Sequence, residues 1–96
     1  SMIGSGDHFA LEIVGDSMTG VGILEGDTVL IQRSNVAHHG DIVVALINNQ
    51  EATLKTLLKE PDRIGLKAAN PKYETRYFTK GEVEVQGKLA GLIRNY

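Results

Sequence analysis

Residues 42–47 read Ile-Val-Val-Ala-Leu-Ile, an unbroken apolar run. A strand of this kind has to be covered on both faces, which places it centrally in a sheet. Asn48-Asn49 follows at once, and asparagine tolerates positive φ, so the chain is expected to reverse there in a β-hairpin. The return strand is read as Ala52–Leu58. The rest of the chain repeats the theme, with period-two patterns and turn residues alternating along it. Phe9–Val14 puts Phe9, Leu11 and Ile13 on one face, and Glu25-Gly26-Asp27 turns into Thr28–Ile31. His39-Gly40-Asp41 leads into the central run, and Glu60-Pro61-Asp62 ends the return strand. Ile64–Leu66 makes a short strand, Asn70-Pro71-Lys72 a turn, and Val83–Ile93 a long last strand with glycine kinks. Ser17–Leu24 is expected to hold one helical turn, with Ser17 near its start. The fold is therefore read as mostly β.

Composition narrows the function. The 96 residues suit one domain near the lower end of what buries a comfortable core. Aromatic residues make up only 5%, which argues against an RNA platform built on stacking. Ten basic residues face twelve acidic ones, net −2, so the chain is not expected to hold DNA by itself. The lack of cysteine excludes a disulfide scaffold, a cysteine metal site and a cysteine nucleophile, and fits a reducing cytoplasm. The longest apolar run falls far short of the roughly 18 residues that span a bilayer, and no signal peptide is visible. Ser1-Met2 reads as an expression scar. Residues 1–8 are taken as scar and lead-in, and residues 9–96 as the domain.

Ser17 stands between Asp16 and Met18 at the end of the first strand. Asp16 or Ser17 suits the cap of a short helix, because both types accept hydrogen bonds from first-turn amides. The other reading is catalytic: a tight turn at Gly15 exposes Oγ while neighbouring backbone N–H groups converge on an oxyanion. A serine hydroxyl needs a base to become a nucleophile. His38 and His39 are adjacent in a polar loop, His8 precedes the first strand, and all three read as solvated residues, with neither a metal nor a triad role. Lys55 lies inside Glu-Ala-Thr-Leu-Lys-Thr-Leu-Leu-Lys on the hairpin return. It either points to solvent or shares the cover of its apolar partner strand. A covered lysine is driven toward its neutral form, and a neutral lysine beside a serine forms a Ser-Lys nucleophile–base pair.

The motifs Gly15-Asp16-Ser17-Met18, Gly26-Asp27, Glu51-Ala52-Thr53-Leu54-Lys55 and Gly87…Ile93-Arg94-Asn95 together span Phe9 to Asn95. In them the chain resembles the C-terminal domain of the LexA-type self-cleaving repressors of the bacterial DNA-damage response, relatives of UmuD and of phage repressors. The resemblance implies a strongly bent, partly open, β-barrel-like fold, shared in its dyad logic with signal peptidase. It implies Ser17 as nucleophile, Lys55 as general base and the Asp16 and Ser17 amides as oxyanion donors, with no cofactor and no metal. It also implies a homodimer through the C-terminal strand around Gly91–Tyr96, and activation by a RecA filament on single-stranded DNA. Operator DNA would be held only by an N-terminal DNA-binding domain outside this chain, and the scissile Ala-Gly bond would lie in an upstream loop. Ala90-Gly91, in the last strand, is read as packing. A UmuD-like or phage-repressor-like protein keeps the same pair. A non-catalytic β dimerisation module, with Ser17 as cap and Lys55 solvated, is the alternative of another class.

Overall fold

A computed structural model of the protein describes residues 7–96, so the lead-in expected over residues 1–8 lies mostly outside the described residues. Seven strands form one antiparallel sheet in the order β1-β2-β7-β3-β4-β5-β6. They are β1 (His8–Glu12), β2 (Thr28–Arg33), β3 (Ile42–Ile47), β4 (Glu51–Lys59), β5 (Ile64–Lys67), β6 (Arg76–Phe78) and β7 (Val83–Ile93). Thr19–Val21 and Lys80–Glu82 add single 3-10 turns. The sheet is mostly β as expected and stays open, with β1 and β6 at its edges. No helix among the described residues is long and apolar enough to cross a membrane.

The apolar run is the middle strand of the seven, and its two faces feed two cores. Val43, Ala45 and Ile47 pack with Ala37, Leu57 and Leu66 on one side. Val44 packs with Met18, Ile23, Val29, Ile31 and Leu54 on the other, where Phe9, Leu11 and Ile13 also lean in. Burying each such side chain contributes about 1.5–3 kcal/mol, so both faces need apolar residues. Asn48 and Asn49 take φ of 50° and 58°, and Gln50 N–H closes the turn on Ile47 O at 3.0 Å. The hairpin forms because these two residues accept the left-handed backbone it requires.

β7 bends the sheet. Leu30 pairs with Gly91 but Ile31 with Leu89, leaving Ala90 as an extra residue. Val44 pairs with Gly87 but Ala45 with Val85, leaving Gln86 as another. Each such bulge kinks its strand and increases local twist. Ala90 is consequently exposed rather than packed, a correction to the reading of Ala90-Gly91. Two further differences are local. β1 stops at Glu12 rather than Val14, because Ile13 N–H turns to Asp27 O at 2.8 Å and Val14 swings out to 87% exposure. The helical turn shrinks to Thr19–Val21.

Candidate active site

The chain leaves β1 through Gly15, whose φ of +88° is a backbone that a β-carbon would strain. Gly15 N–H donates to Glu25 Oε1 at 2.8 Å, which holds the turn from outside. Met18, only 3% exposed, anchors it from inside. Ser17 is thus pinned between a buried anchor and an exposed Val14. Neither Asp16 nor Ser17 caps the 3-10 turn: the N-cap position is Met18, with no side-chain cap hydrogen bond. Thr19 N–H reaches Asp16 through its backbone carbonyl at 3.4 Å. Among the described residues, no acceptor takes a hydrogen bond from the Asp16 or Ser17 amide.

Lys55 arrives from β4, where it pairs with Val43 of β3. β5 pairs with β4 only from Thr56 to Lys59, so the edge of β4 over Glu51–Lys55 is open on that side. The lysine stem passes this open edge, and Nζ stops 3.1 Å from Ser17 Oγ. Two further oxygens hold the amine, Thr53 Oγ1 at 2.7 Å and Leu54 O at 3.1 Å. Burial drives the Lys55 pKa below its ordinary 10.5; Glu51 partly opposes this and Arg76 reinforces it. A neutral amine has two N–H donors and one lone pair. Leu54 O and Thr53 Oγ1 suit the donors, which leaves the lone pair for the Ser17 hydroxyl.

The pair lies in a cleft of about 280 Å³ bounded by Leu11–Val14 on one side and Ala52–Lys55 on the other. The β5–β6 loop closes over the back of the serine turn. Gly20 N–H donates to Ala69 O at 2.6 Å, and Asn70 Nδ2 donates to Asp16 O at 2.9 Å. The Asp16 carboxylate takes Lys72 Nζ at 2.8 Å and the Tyr73 hydroxyl. Lys72 first and Tyr73 second hold its pKa below the ordinary 3.8. The histidines stay apart from the cleft: His39 Nδ1 accepts Lys59 N–H at 2.9 Å, and His38 lies 3.8 Å from Asp41. No group of metal-binding side chains occurs among the described residues.

A serine and an amine at hydrogen-bond distance in an open cleft suit nucleophilic chemistry. The Peptidase S24-like family model matches residues 1–90. The chain belongs to this family. Its chemistry is therefore of the serine-peptidase kind. In this Peptidase S24-like domain, sequence reasoning brought forward Ser17, Lys55 and Asp16 and missed Thr53, Asn70, Lys72 and Tyr73. Thr53 had a usable signal, since a residue two before Lys55 on a strand shares its face. The loop residues had none, because Asn70 is 54 positions from the carbonyl it holds.

Proposed function

We propose that this domain is the self-cleaving and dimerising part of a LexA-type repressor of the DNA-damage response. The observation that carries the reading is the 3.1 Å contact between Lys55 Nζ and Ser17 Oγ inside the cleft. Neutral Lys55 removes the Ser17 hydroxyl proton, and Oγ attacks the carbonyl carbon of an Ala-Gly bond in an upstream loop. The Asp16 and Ser17 N–H groups hold the oxyanion. Protonated Lys55 then gives its proton to the leaving glycine nitrogen, and water, activated by the same amine, releases the acyl group from Ser17. The open edges of β1 and β4 both line the cleft, so an extended segment fits between them by strand addition. A RecA filament on single-stranded DNA would favour the docked loop, and operator DNA would engage a separate N-terminal domain. The Gly87…Asn95 ending favours LexA-type over UmuD-like proteins.

The experiment is cleavage of a supplied peptide carrying the family's Ala-Gly site, followed by mass spectrometry. Cleavage in trans is expected to be slow, because it lacks the effective concentration of a tethered loop. It is expected to rise about tenfold per pH unit until Lys55 is deprotonated. Ser17→Ala should leave no product. A parent that stays inert at pH 9.5, or an alanine variant that still cuts, overturns the reading.

Dimerisation through the last strand is part of the same proposal. Leu89–Ile93 pairs with β2 on one side, whereas β3 pairs with β7 only as far as Lys88, so the second edge is open. Leu92 and Ile93 are 39% and 59% exposed there. An unpaired apolar edge of this kind invites a symmetric partner strand. Ile93→Glu is expected to shift the protein from dimer to monomer by light scattering at micromolar concentration, with the fold intact. A parent that is already monomeric, or a variant that stays dimeric, places the interface elsewhere.

A further inference from the structure

The Asp16–Ser17 peptide unit is held from its carbonyl end. Three donors converge on Asp16 O: Asn70 Nδ2 at 2.9 Å, Thr19 Oγ1 at 3.2 Å and Thr19 N–H at 3.4 Å. The Asn70 carboxamide is itself oriented, since its Oδ1 accepts Lys72 N–H at 2.9 Å and so leaves Nδ2 to face the turn. Nδ2 also lies 3.4 Å from Thr19 Oγ1, which ties the donors to one another. The loop carrying Asn70 is seated closely: a β-carbon at Gly20 would stand 2.4 Å from Ala69 O, so only glycine lets the backbones meet.

A peptide unit is planar, and its N–H points opposite to its C=O. Fixing the Asp16 carbonyl therefore fixes the direction of the Ser17 N–H. Hydrogen bonds accepted by the carbonyl also polarise that N–H and make it a stronger donor. We infer that Asn70 is the positioning residue of the oxyanion site, acting through the Asp16–Ser17 peptide plane without touching substrate. The inference rests on the Ser17–Lys55 reading above. The Lys72–Asp16 ion pair serves a lesser purpose, because its side chains are 67% and 44% exposed and such pairs contribute little.

The test compares Asn70→Asp and Asn70→Ala with the parent domain in trans cleavage of an Ala-Gly peptide. Asn70→Asp keeps the shape and the acceptor for Lys72 N–H but replaces the donor with a carboxylate facing a carbonyl. Either variant is expected to lower kcat by about 10–100-fold with KM nearly unchanged. A peptide boronate, whose tetrahedral Ser17 adduct places an oxygen in the oxyanion site, should lose affinity by a similar factor. Binding of the uncut peptide to a Ser17→Ala background should not change. Lys72→Ala should stay within about twofold of the parent. Urea midpoints check folding, and if one Asn70 variant unfolds, the other carries the comparison. A parent that neither cleaves nor binds the boronate overturns the Ser17–Lys55 reading and this inference with it. A working parent with Asn70 variants of equal kcat and boronate affinity overturns the inference alone, as does an equal loss of uncut-peptide binding.

Discussion

Lys55→Met is expected to end cleavage and, at pH 7, to make the fold more stable than the parent. The two effects share one cause. The amine is held by three oxygens but lies in a part-buried site that disfavours its charge, so its pKa sits below 10.5. Between the lowered folded value and 10.5, the unfolded chain binds more protons than the folded one. Parent stability therefore rises with pH across that window and is lowest below it, where folded Lys55 carries its charge. Methionine keeps the apolar stem and removes the amine, so its advantage should be larger at pH 7 than at pH 9.5. Loss of the general base should cost about 10²–10⁴-fold in rate. Urea midpoints at the two pH values, with peptide cleavage, decide. Equal midpoints at pH 7 would show the amine to be solvated, and near-parent cleavage would remove it from the mechanism.

Arg94→Ala is expected to be the most destabilising single change near the end of the chain. Asp27 is 2% exposed, and Arg94 grips its carboxylate with Nε at 2.8 Å and with a terminal nitrogen at 2.7 Å. The same nitrogen reaches Gly22 O at 2.7 Å. Arg94 first, and the Leu24 amide second, hold the Asp27 carboxyl down at about 2. Its stabilisation is therefore present above the ordinary 3.8 and is lost as pH falls toward about 2. Among the described residues, removing the guanidinium leaves the buried carboxylate with the Leu24 amide, at 2.7 Å, as its remaining hydrogen-bond donor. The melting temperature at pH 7 should drop by about 10–20 °C, and the pH dependence between 4 and 2 should flatten. Arg94→Lys, which keeps the charge without the two-nitrogen grip, should fall between. A variant that melts with the parent would show the pair to be dispensable.

What could be read from the sequence was what neighbours in the chain decide. The central strand, its Asn-Asn turn and the long last strand are local patterns, and Ile42–Ile47 and Val83–Ile93 have the expected bounds. β6 was missed because Arg76–Phe78 is three residues long, largely exposed and without alternation. Ser17 and Lys55 each allowed a bland local reading; the cover expected on Lys55 raised the pair as one alternative, and the family resemblance gave the two their roles across 38 positions. The open edge past which Lys55 turns depends on where β5 stops pairing, which no residue of β4 encodes. Asn70 reads as an ordinary turn former beside Pro71, and its hold on Asp16 exists only once the sheet has brought two loops together.

The place of β7 in the sheet sets a time order. It alone joins β1-β2 to β3 and the strands beyond, yet among the described strands it is the last to leave the ribosome. Before Val83–Ile93 emerges, the serine and the lysine ride on two hairpins with no ladder between them. A growing polypeptide therefore carries Ser17 and Lys55 before it carries the strand that links their two halves of the sheet, so the 3.1 Å contact between them waits on β7.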